Sequence, residues 1–197
     1  MFKYILSILK VILSIALMPV SIAVTLTLYD HLNTYPAVLS VNFFYGAAFF
    51  VLIFLFFYQF WGFFELGYKV LTNLFQFAAP MDKWLAYATP IYTILVLLIF
   101  YIVRVLGKVV TLDHQFSFMA GFTLVMHFLV LAQELQNQEK TPVKPDYLLA
   151  INVIYIYDIF LVVFLMDLVF QKWTVPQFFQ SFLLDIKHVF LWVKKLI

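Results

Sequence analysis

Long apolar runs separated by short polar breaks order this chain, and the runs exceed what a soluble core needs. The first, about Tyr4 to Tyr29, is close to the ~20 residues that cross a hydrocarbon core. Pro19 interrupts it and, lacking a backbone donor, predicts a kink there. Asp30 to Ser40 reads as a loop, with His31, Asn33 and Pro36 as turn material. The second run, Val41 to Ala79, would measure roughly 58 Å as one helix, too long for a single crossing. Gln59, Glu65, Tyr68 and Lys69 gather in its middle. Either a span ends near Phe64 and an amphipathic helix follows, or the chain re-enters the membrane. A third span is expected over Trp84 to Val103, with Pro90 in its first turns and Arg104 at its end. A fourth covers Phe116 to Glu134, and a fifth Tyr147 to Phe170. Between these two lies a polar loop, Leu135 to Asp146, holding Lys140, Pro142, Lys144 and Pro145.

The last segment, Pro176 to Ile197, has a different pattern. Pro176 suits a helix start. Phe178, Phe182, Ile186 and Phe190 recur at spacings of four, among Asp185, Lys187, His188, Lys194 and Lys195. That predicts an amphipathic helix lying in the membrane interface, its lysines near headgroups.

Composition turns this pattern into a fold class. Of 197 residues, 65% are hydrophobic and 11% charged, against about 25% charged in soluble domains. A soluble fold of this size has too much surface to hide that apolar content. Unbroken apolar stretches such as Phe49 to Phe57 lack the alternation of barrel strands. The expectation is an all-α, polytopic helical membrane protein of a single domain. It has five or six spans, a core over about residues 41–170, and the amphipathic helix at its end. The first span is expected to be retained, because Val24 to Tyr29 offers no small-x-small cleavage site. The net charge of +2 gives no reason to expect a nucleic-acid partner, and the absence of cysteine excludes disulfides and thiolate ligands. The first loop carries no Lys or Arg, which favours placing it outside.

Ionisable groups within spans are costly and therefore informative. On the fourth span His127 and Glu134, seven apart, share a face with Thr123. They suggest metal or proton binding, or packing against a polar neighbour. On the fifth span Asp158 and Asp167, nine apart, point to opposite faces. Asp158 lies near mid-span with Asn152 and Tyr155, and is read as a buried polar contact. Asp167, near the end, is read as hydrated. The 25 phenylalanines are read as lipid-facing filler, and Trp61, Trp84, Trp173 and Trp192 as interfacial aromatics. No glycine-rich phosphate loop, CxxC pair, serine elbow or two-histidine zinc spacing occurs.

Phe64-Glu65-Leu66-Gly67-Tyr68 resembles the His-Glu-x-x-His helix of the site-2-protease-like membrane metallopeptidases. In that family two histidines on one helix face bind zinc and the glutamate activates water. An apolar span containing Tyr45 and Gly46 precedes the motif. Ala88-Thr89-Pro90-Ile91-Tyr92-Thr93 looks like the family's Ala-Pro-Tyr-x-x-Pro-x-Tyr opening, and Ala120 to His127 like its Gly-Leu-Thr-x-x-Phe-His span. Lys144-Pro145-Asp146 looks like the Gln-x-Asp segment before the last core span. The resemblance runs in order from about Gly46 to Asp167. The chain departs where chemistry is decided, because Phe64 and Tyr68 replace both histidines. Glu65 matches the base, while His127 and Asp146 match later polar positions. The resemblance thus implies a proteolytically inactive relative without metal or cofactor, in a bacterial inner membrane, that binds other membrane proteins or their transmembrane segments. The competing readings are an unrelated membrane scaffold or complex subunit, and a transporter or proton-linked component using His127 and Asp158. The candidate polar site is Glu65, His127, Asp146 and Asp158. Glu65 and His127 are expected within reach of a hydrogen bond or one water, with Asp158 lining the same cavity.

Overall fold

The computed structural model describes residues 2–56, 61–107, 112–139 and 144–196. Gln59, and Lys140 and Pro142 of the predicted loop, lie outside them. Among the described residues eight α-helices follow in order: α1 Phe2–Leu32, α2 Ala37–Phe56, α3 Trp61–Leu74, α4 Asp82–Tyr87, α5 Ile91–Gly107, α6 Asp113–Gln138, α7 Pro145–Phe170 and α8 Val175–Leu196. A short 3-10 turn, Gln76–Ala78, separates α3 from α4. Among the described residues α1, α2, α6 and α7 are long and apolar enough to cross a membrane, and α5 is a shorter apolar helix. The protein is an all-α, polytopic helical membrane protein.

Several boundaries differ from the pattern-based reading. α1 runs through Pro19 without a break and absorbs Asp30 and His31, leaving a four-residue turn before α2. Thr34 closes that turn by donating its hydroxyl to the His31 carbonyl at 2.7 Å. The long second run divides into one long helix, α2, and the short, strongly amphipathic α3.

Helix directions follow from the side-chain pairs. α7 runs parallel to α1, with Lys10 paired to Asp146, Ser21 to Asn152 (2.8 Å), Thr25 to Tyr155 (2.7 Å) and Tyr35 to Asp167 (2.9 Å). These bonds give two apolar helices a polar seam, which lipid cannot supply by a hydrophobic force. α2 and α6 are the closest-packed pair. A Cβ on Gly46 would stand 1.9 Å from the Phe118 carbonyl oxygen, and one on Gly121 2.0 Å from that of Phe43. Ser117 adds a hydrogen bond to the Leu39 carbonyl at 2.6 Å.

The third span is broken. Its lower part is α4 and its upper part α5, with Ala88, Thr89 and Pro90 between them. Pro90 has no N–H to continue the ladder. Ala88 N–H and the Thr89 hydroxyl cap the end of α4 on the Trp84 and Leu85 carbonyls (2.9 and 2.6 Å). Both parts track α7. Trp84 and Ala88 line one groove with Asp146, Val153 and Ile154. Further up, the Phe100 ring lies 5.6 Å from that of Phe170, and the Arg104 guanidinium sits 4.3 Å above the same ring.

α8 returns antiparallel to α1, with Phe178 against His31 (ring centroids 5.3 Å) and Asp185 accepting from Thr27 at 2.7 Å. Its buried stripe is Phe178, Phe182 and Val189, while Phe190 is exposed. Spacings of four drift off a 3.6-residue helix, so twelve residues carry Phe190 roughly 120° from Phe178, and eleven return Val189 to within about 20°. The outward face carries Lys187, His188, Lys194 and Lys195.

Candidate functional site

The fold brings together two of the four candidate residues. His127 on α6 and Asp158 on α7, both buried, approach to 3.2 Å between Nε2 and Oδ2. The approach lies off the hydrogen-bonding direction, so neither Nε2 nor either carboxylate oxygen has a hydrogen-bonded partner. Asp158 stands thirteen residues into α7 and twelve from its end, which places the pair at mid-height.

α5 carries a further buried polar side chain. Thr93 is fully buried and its hydroxyl also lacks a partner. A helical threonine ordinarily bonds the carbonyl four residues back. Here that carbonyl, on Thr89, lies in the break and accepts from Ile91 N–H at 2.8 Å. Thr89, in the break, lines a small cavity together with His127, so the break in the third span opens beside the imidazole.

Glu65 and Asp146 lie elsewhere. Glu65 pairs with Lys69 one turn on, at 2.8 Å, and is partly exposed. Asp146 pairs with Lys10 at the foot of α7 and is 63% exposed. The α3 side chains that meet His127 are instead Phe64 and Tyr68. The Phe64 ring lies 6.1 Å from the imidazole, Tyr68 stacks on Phe64 at 6.5 Å, and Tyr87 stacks on Tyr68 at 4.6 Å. Tyr92 donates its hydroxyl to the Phe63 carbonyl and ties α3 to the start of α5. The cavity left among Phe64, Tyr68, Thr89, Tyr92, Met126 and His127 is about 10 Å³, room for one water at most. The two positions that match zinc-binding histidines in the resemblance thus do face His127, and both are aromatic. Among the described residues no group of three or more His, Asp or Glu side chains is arranged to hold a metal ion.

Asp167 is corrected outright: it is 1% exposed, not hydrated. Its carboxylate accepts from the Tyr35 hydroxyl (2.9 Å), the Thr174 hydroxyl and N–H (2.5 Å each) and Val175 N–H (2.8 Å). It thereby takes up orphan donors at the start of α8 and locks that helix to the α1–α2 turn. Burial, reinforced by the adjacent carboxylate, pushes the Tyr35 hydroxyl well above the ordinary phenol range and keeps it a donor.

The His127–Asp158 pair yields a clear expectation. Asp158→Leu alone leaves a buried imidazole without its polar neighbour and is expected to cost about 3 kcal/mol. Adding His127→Phe removes the orphan and is expected to restore part of that loss. Thermal unfolding of both single variants and the double variant in detergent checks this, and strictly additive losses would exclude the coupling.

Comparisons with known protein families, curated proteins and solved structures find no match.

Proposed function

We propose that the chain is a non-catalytic membrane protein, akin to a membrane metallopeptidase with its metal site closed, that works by holding other membrane proteins. The resemblance implies a bacterial inner membrane as its setting. One observation carries the reading. Phe64 and Tyr68 occupy the face of α3 that meets His127, and their rings leave space for about one water. Hydrolysis at zinc needs three ligands and an open position for water, and an aromatic wall supplies neither. An inactive interior leaves binding as the function available to the apolar exterior.

The test combines metal content with co-purification. Protein isolated in mild detergent is expected to contain no stoichiometric zinc and to bring down a membrane protein partner. Phe64→His combined with Tyr68→His is expected to gain about one zinc per chain, because both new imidazoles would face His127. Stoichiometric zinc in the wild-type protein, lost on His127→Ala, would overturn the reading.

A second reading has its own observation. Half-helices that meet at mid-membrane beside ionisable groups are a construction of transporters, and Thr89 of the break in the third span lines a cavity with His127. In this reading the pair takes up and releases a proton. Proton uptake by proteoliposomes, abolished by Asp158→Asn, would decide for it.

A further inference from the structure

A groove runs up the side of the bundle between α4 and α7. Small side chains make it: Ala88 on one wall and Ala150 on the other leave space between Trp84, Leu85, Val153 and Ile154. The space has two lobes, an apolar one of about 440 Å³ and a more polar one of about 400 Å³, joined at Trp84, Asp146 and Ala150. The polar lobe opens at the foot of the bundle, where Lys83, Gln138 and Glu139 line it.

Length decides the occupant. From Asp146 to Ile154 the groove climbs about 12 Å at 1.5 Å per residue, less than half of a hydrocarbon core of about 30 Å. It ends at Ala88, where the third span breaks. A transmembrane segment would need a groove of full height, whereas one acyl chain needs a single leaflet. Charge at the rim selects the head. Lys10 is held by Asp146, and Glu139 already accepts from Tyr147 N–H at 2.9 Å. Among the described residues Lys83 has no acidic partner, which leaves its ammonium for a phosphate. With Lys10 offset by Asp146, Lys83 and Glu139 leave the rim without net charge, which suits a head without net charge. Trp84, 57% exposed at the seam of the lobes, fits the level where indole rings collect between headgroups and chains.

We propose that this groove is a site for one zwitterionic glycerophospholipid of the surrounding bilayer. Its phosphate sits on Lys83, its ammonium lies on the Glu139 side of the rim, and one acyl chain lies along Ala150 to Ile154. The inference is independent of the proposed function, since it uses neither α3 nor the His–Asp pair.

Native mass spectrometry of the full-length protein, delipidated in detergent and then offered dioleoyl phosphatidylethanolamine, tests it. One lipid per chain is expected to survive gentle activation. Lys83→Glu removes the phosphate contact at an exposed residue, and Val153→Trp fills the groove from a wall position that is 51% exposed. Each is expected to lower occupancy at least fivefold, with an unchanged helical circular-dichroism signal and melting temperature. Leu98→Trp, on the exposed side of α5, is expected to leave occupancy unchanged. Equal occupancy in the wild type and both groove variants would mean annular lipid only and overturn the site. Phosphatidylglycerol bound as tightly and with the same dependence on Lys83 would overturn the zwitterion assignment. A photoreactive residue at position 153 that captures another protein, or a second copy of this chain, in place of lipid would overturn the proposal in favour of a protein occupant.

Discussion

Asp167→Ala is expected to lower stability by on the order of 4 kcal/mol, because several enclosed donors lose one acceptor at about 1–3 kcal/mol each. Those donors are the Tyr35 hydroxyl, both Thr174 groups and Val175 N–H. They belong to two separate stretches of chain, and Asp167 to a third, so the loss is not local. The α1–α2 turn, the end of α7 and the start of α8 should loosen together. Thermal unfolding in detergent gives the magnitude. Limited trypsin digestion gives the location, with faster cutting after Lys172 and Lys187 than in the wild type. Asp167→Asn is expected to cost less, since one carbonyl oxygen remains. It still costs something, because its amide N–H would face backbone N–H groups. A variant with alanine at 167 that melts with the wild type and resists trypsin equally would refute the assignment.

Gly121→Ala is the second change with a large expected effect. The added methyl would stand 2.0 Å from the Phe43 carbonyl oxygen and 2.8 Å from its carbon, both backbone atoms of α2. No rotamer change relieves such a contact, so α2 and α6 must move apart. Overpacking of this kind costs about 3 kcal/mol or more when the obstacle is rigid. Gly46→Ala should behave alike, since it meets the Phe118 carbonyl oxygen at 1.9 Å. Gly62→Ala is the matched control, because a Cβ there meets nothing within 4 Å and alanine is the better helix former by about 1 kcal/mol. Losses at 46 and 121 no larger than the change at 62 would show that the helices do not pack by backbone contact.

Local pattern carried much of this architecture. The apolar runs located α1, α6 and α7, and the polar cluster within Val41 to Ala79 marked where one long run becomes two helices. Pro90, expected in the first turns of a span, proved to divide it, because the residues before it form a helical piece of their own. The candidate site was legible only in part. His127 and Asp158 each stand out as an ionisable group in an apolar helix, but their meeting depends on how α6 faces α7, which no local signal encodes. The same holds for Asp167. Its place near a helix end suggested water, whereas its partners lie more than a hundred residues upstream at Tyr35 and across the turn at Thr174 and Val175. Glu65 shows the opposite case. Lys69 stands one turn away, a local pairing readable in the sequence, and the motif resemblance drew attention to the glutamate and away from its neighbour.

The pairing of α1 with α7 and α8, and of α2 with α6, sets the order in which the bundle can close. The first two helices scarcely touch each other, so α1 must wait in lipid while more than a hundred residues are made, on the order of ten seconds at about 5–20 residues per second. Three of its hydroxyls are suited to the wait. Ser14, Thr25 and Thr27 bond the carbonyls of Lys10, Ser21 and Ala23 in their own helix at 2.7, 2.7 and 2.9 Å, so none needs a neighbour. The buried carboxylates, which would fare worst alone in hydrocarbon, come last. When Asp158 and Asp167 emerge, His127 and Tyr35 have already been made, and each acid enters a membrane that holds its partner.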